Sequence, residues 1–116
     1  REVHVARYRV SYSDDKTGTQ VTNDHAIEMD CDALIELMER VLADEGSFVN
    51  VEDASGRVMT FMVDDAEGGL LLDVPCSVER GSYTKSTTLA ACREALRAMN
   101  GTIDRSKIDG LSFERW

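Results

Sequence analysis

Nucleophilic catalysis needs a thiol or hydroxyl within reach of a base that an acid orients. The chain offers His25 beside Asp24 and upstream of Cys31 as the raw material for such a set. No local spacing brings the three together, and an ordinary strand or pre-helix histidine is the stronger reading. Cys92 falls on the apolar stripe of a predicted helix and Cys76 follows the single proline, positions that suit buried thiols. Three cysteines, odd in number and far apart, point to reduced thiols and a cytoplasmic setting rather than a disulfide framework.

Metal and phosphate chemistry find no better footing. Two histidines and no Cys-x-x-Cys spacing leave zinc without a ligand set, and no metal or other cofactor is expected. Residues 104–110 have the flavour of a calcium loop, but the glycine comes one place late and no glutamate closes it. Gly68-Gly69 lacks the fingerprint of a phosphate loop and reads as turn chemistry, as Asn100-Gly101 reads as a helix stop. The five methionines lie on or beside predicted core stripes. Arg93 and Arg97, one helical turn apart, form a solvated face unless no acid supports them.

Charge is more informative. The chain has 22 acids against 13 bases, a net charge of −9, which opposes direct binding to nucleic acid or an anionic membrane. No apolar run approaches the length of a spanning helix, and no apolar block follows Arg1, although a start at Arg1 rather than Met leaves room for an upstream segment. Residues 24–73 carry 14 acids against Arg40 and Arg57 alone. A middle third this acidic, spread over a helix and two hairpin tips, is suited to steering a basic partner; plain solubility explains it too.

The elements that must position these residues follow from periodicity. With 116 residues, 42% of them hydrophobic, the chain suits a single domain over residues 1–116 with one core. Residues 3–12 alternate, with Tyr8, Val10 and Tyr12 on one face, and a turn at 13–18 leads to a second arm over 19–29 with Val21, Ile27 and Met29 inward. Leu34, Leu37, Met38, Val41 and Leu42 follow a helical stripe that Asp30 or Asp32 can cap and Gly46 can end. Strands at 48–52, 58–63 and 70–74 form a meander, with Pro75 breaking its ladder or confining it to an edge. A second helix over 87–99, capped by Ser86 or Thr87, precedes a tail that packs on the core or adds a short strand. The expected fold is α+β, an antiparallel sheet of five or six strands with two principal helices packed against it.

The run Asp32-Ala33-Leu34-Ile35-Glu36-Leu37-Met38, the strand Phe48-Val49-Asn50-Val51, the Gly56 turn, the strand Met59-Thr60-Phe61-Met62-Val63, the helix around Ala95-Leu96, and the end with Leu111 and Trp116 carry a resemblance. Over roughly residues 26 to 116 the chain resembles the first family of immunity proteins of bacterial polymorphic toxin systems; the strand at 3–12 lies outside it. The resemblance implies a protein without turnover that binds and neutralises a cognate toxin acting on nucleic acid, such as a deaminase. Such toxins need a basic substrate channel, which an acidic inhibitor can occlude. The residues expected to make contact are Glu52, Asp53, Asp64, Asp65 and Glu67 at the hairpin tips, with Tyr83 and Trp116, or Phe48, as apolar anchors. Two other classes compete: a small enzyme built on His25, a cysteine and an acid, and an accessory ligand-binding domain with an apolar cavity or dimer face.

Overall fold

The computed structural model describes residues 7–64, 69–99 and 101–116. The first strand, β1 (Arg7–Asp14), is followed by β2 (Thr19–Val21), β3 (Ile27–Asp30), α1 (Cys31–Val41), β4 (Phe48–Glu52), β5 (Val58–Val63), β6 (Leu70–Cys76), β7 (Gly81–Thr87), α2 (Leu89–Met99) and β8 (Ser112–Arg115). One antiparallel sheet runs in the order β2-β1-β4-β5-β6-β7-β8, with β3 also paired to β1. The fold is α+β, as expected, but with eight strands rather than five or six.

The extra strands have two sources. The second arm of the first hairpin is broken by a 3-10 turn at Asn23–His25 into β2 and β3, which pair with different stretches of β1. The break buries Ser11, whose hydroxyl donates to the Asn23 side chain at 2.8 Å, and leaves Ile27 exposed rather than inward. The other addition is β7, whose Gly-Ser-Tyr-Thr-Lys-Ser-Thr run has no apolar alternation. It is held by backbone pairing to β6 on one side and β8 on the other, so hydropathy gives no sign of it.

Alternation places Tyr8, Val10, Val49, Val51, Met59, Phe61, Val63, Leu70, Leu72 and Val74 on one face of the sheet, and both helices pack there. The stripe of α1 is buried as its spacing predicts, and Asp30 caps it by accepting from the Ala33 N–H at 2.9 Å. Gly46 takes a positive φ of 93°, but it lies in the loop beyond Leu42, which ends the helix itself. The cap of α2 is Thr88, which accepts from Ala91 N–H, rather than Ser86 or Thr87. Arg93 and Arg97 reach across to Glu39 (2.9 Å) and Asp32 (3.3 Å) on α1, so they have the supporting acids that mark a solvated helix face. Exposed pairs of this kind contribute about 0–1 kcal/mol each. The tail does both things expected of it: Ile108 joins the core, and β8 closes the sheet edge. No helix among the described residues is long and apolar enough to cross a membrane.

Candidate functional site

In a meander, successive turns fall at opposite ends of the sheet. The β4–β5 turn, which follows Glu52, and the β5–β6 turn, which begins at Asp64, are therefore separated by the length of β5, about 20 Å. The acids expected to form one surface do not share one. Glu52 and Asp53 sit at the end where Tyr83 and Trp116 lie, and Asp64 sits at the other; Asp65 and Glu67 lie outside the described residues.

The Asp64 end is organised by a buried serine. Ser47 accepts the Asp15 N–H on its hydroxyl (2.9 Å) and the Val63 N–H on its carbonyl (3.1 Å), and it donates its own N–H to Asp44 O. Three connections are thereby drawn together, bringing Asp15, Asp44, Glu45 and Asp64 to one end of the sheet. The Asp15 carboxyl stands where a side chain at Gly46 would project. None of these four acids makes an ion pair with the described residues, whereas Asp32, Glu39, Glu52 and Glu79 each have an arginine. Lys16 and Arg40 are the bases nearest this end in the chain.

The opposite end holds a cleft. The β5–β6 ladder stops at Thr60 and Asp73, while the β6–β7 ladder continues through Pro75 and Ser82 to Cys76 and Gly81. Pro75 has no N–H to offer β5, so the predicted break in the ladder occurs, but on the β5 side only. A cleft of about 710 Å³ opens there, lined by Arg57, Val78, Arg105 and Trp116 among others.

Asp53 is expected to be an exposed tip acid, and the structure corrects this: it is 5% exposed. Its Oδ1 accepts from Ser55 N–H, Ser55 Oγ and Arg57 N–H, and its Oδ2 accepts the Ile103 N–H at 2.8 Å. Burial works to raise its pKa, but the bonds from Ser55, Ile103 and Arg57 outweigh burial and hold the carboxyl below its ordinary value. Glu52 is partly exposed and lies 3.9 Å from Arg9.

Tyr83 is half-buried, tilted against Phe113 with ring centroids 5.1 Å apart and covered by the Arg105 guanidinium at 3.9 Å. Its hydroxyl donates to Glu79, which lowers the carboxyl and raises the phenol from their usual values. Trp116 is 70% exposed. Phe48 is half-buried on the sheet face away from the helices, opposite Met62. Sequence reasoning missed Val78, Arg57 and Arg105, since a turn valine and isolated arginines carry no pattern.

The enzyme set is not assembled. The His25 ring, on the 3-10 turn, meets Thr22 Oγ1 at 3.2 Å, and no cysteine bonds to it among the described residues. Cys92 is buried on α2, Cys31 begins α1, and Cys76 donates to Glu79. No group of three or more metal-ligating side chains forms among the described residues. The calcium-like stretch is a turn, with Asp104 accepting from Ser106 N–H and Oγ. No protein-family model matches the chain, and comparison with curated proteins and with solved structures gives no match.

Proposed function

We propose that this chain is a non-catalytic, cytoplasmic inhibitor that neutralises a cognate bacterial toxin acting on nucleic acid, by laying its acidic end into the toxin's basic substrate cleft. The observation that carries the reading is the set of acids tied together through Ser47: Asp15, Asp44, Glu45 and Asp64, without ion pairs among the described residues. Unpaired carboxylates concentrated at one end set up a directional field that speeds encounter with a basic surface. The resemblance to immunity proteins supplies the kind of partner. The test is whether a toxin domain is encoded immediately upstream of this chain and, with that domain, co-expression. Restored growth and a co-purifying complex are the expected outcome; growth arrest undiminished by the folded protein would overturn it.

A further inference from the structure

The face of the sheet turned away from the helices departs from the pattern of a solvated face. Alternation along β4, β5 and β6 sends every second side chain there, and an antiparallel sheet with one open face normally carries polar residues at those positions. Asn50, Thr60 and Asp73 form one such row across the three strands. The adjoining row is instead Phe48, Met62 and Leu71, with Ser13 and Ser86 at its ends. The three apolar side chains are half-buried, yet none belongs to the core or to the side chains packed against it. Paired across neighbouring strands, they make a band about 10 Å wide.

The band lies at the acidic end. Phe48 follows Ser47 directly, and Met62 stands about 7 Å along β5 from Asp64. Asp14, Asp15, Asp44, Glu45 and Asp64 at this end, with Asp73 on the face itself, outnumber Lys16 and Arg40, so the net charge around the band is negative. At the other end Arg57, Arg80, Arg105 and Arg115 are matched by as many acids. Trp116 is fixed there, its backbone N–H donating to Arg80 O and its indole Nε1 to Ser82 Oγ, both at 3.0 Å, but nothing at that end selects a partner by charge.

We infer that the open face around Phe48, Met62 and Leu71 binds a basic protein partner, which presents to it an apolar side chain flanked by lysine or arginine. The inference rests on the proposed function for the kind of partner and names the surface that the partner buries. Charges at a rim govern how fast two proteins meet, whereas desolvated apolar anchors govern how long they stay together. Acids alone would give a complex that salt dissolves, and the band supplies the anchor. A second copy seated band against band would bring two acidic rims together, which opposes self-association.

Met62 is the methionine of this face: Met38, Met59 and Met99 are buried in the core and Met29 packs against it. Isotopic labelling of the methionine methyl groups of the full chain, observed by NMR, therefore separates the face from the interior. The protein is titrated with short peptides of alternating lysine and leucine, lysine and serine, or glutamate and leucine. The lysine-leucine peptide should shift the Met62 methyl saturably and leave Met38 and Met59 in place. The lysine-serine peptide should bind about tenfold more weakly, and the glutamate-leucine peptide should not bind. Phe48→Thr with Leu71→Thr, which keeps strand-forming residues, should weaken lysine-leucine binding about tenfold with circular dichroism and Trp116 emission unchanged. Met62→Lys, read by calorimetry, should weaken it at least as much. No saturable shift at Met62, equal affinity for either control peptide, or undiminished affinity in the variants would overturn the inference. So would self-association of the free protein that Met62→Lys abolishes, which would assign the face to a second copy. Peptide binding at Met62 without protection from the toxin would sink the toxin reading alone, and protection undiminished in the Phe48→Thr, Leu71→Thr variant would sink this inference alone.

Discussion

Asp53 and Ile103, fifty residues apart in the chain, are joined by a 2.8 Å hydrogen bond from the Ile103 N–H to the buried Asp53 carboxylate. This bond ties the segment after α2, whose Ile103 lines the cleft, to the β4–β5 turn. Asp53→Ala strands the Ile103 and Arg57 N–H groups and should cost about 2–3 kcal/mol by denaturant titration. The pH dependence has a definite sign. Because the folded-state pKa lies below that of an ordinary aspartate, the carboxylate's contribution is complete above the ordinary value and is lost as pH falls through the folded pKa. Asp53→Asn should therefore be destabilised at neutral pH and lose part of the wild-type slope below about pH 4. Parallel stability curves for the two proteins would contradict this role.

Gly81 determines how closely β8 approaches. A Cβ at this position would collide with the Glu114 carbonyl and the Phe113 ring, and backbone cannot yield as a flexible side chain can. Gly81→Ala should displace β8 and destabilise the fold by about 1–3 kcal/mol. The same displacement disturbs the Trp116 bonds to Arg80 and Ser82, so native emission should move to the red. An unchanged melting temperature and spectrum would show that β8 has room to spare.

How much of this was legible in sequence depends on whether the cause is local. The α1 stripe from Leu34 to Leu42 was, because burial there follows a 3.6-residue period, and the strands β4 and β5 were, because alternation and a Gly56 turn mark them. β7 was not, since its reason for being a strand is the ladder on either side rather than its own residues. Asp53 reads as one more surface acid until Ile103 arrives from fifty residues away. The division of the acids between two ends was in principle readable, because a meander alternates its turns; hydropathy and charge counts simply do not contain it.

Cys92 is 1% exposed, and burial pushes its thiol up to about 11. At pH 8 only about one molecule in a thousand then carries the thiolate. Cys31 and Cys76 are partly accessible. Iodoacetamide on the native protein should spare Cys92, with its modification appearing only in denaturant, as read by peptide mass spectrometry. Cys92→Ala should weaken folding modestly and leave toxin neutralisation intact. Rapid native alkylation at Cys92 would instead revive a reactive role for it.

The acidic end is tested by charge removal that respects the geometry. Asp15, Asp44, Glu45 and Asp64 are replaced together by Asn or Gln; Asp44 is half-buried and the other three are exposed, so stability should change little. Association with the basic toxin domain should slow about tenfold at low salt, and the dependence on salt should flatten, because long-range steering is the term removed. Extending the set to Asp65 and Glu67, the neighbours of Asp64 in sequence, should add to the effect. Glu52→Gln is the matched control: it removes an acid at the far end, where Arg9 lies 3.9 Å away, and should leave both rate and salt slope as in wild type. The measurement is stopped-flow binding across a salt series. Equal slopes for wild type and the fourfold variant would reduce these acids to a solvated surface, and a larger effect from Glu52→Gln would move the inhibitory face to the end that holds Trp116.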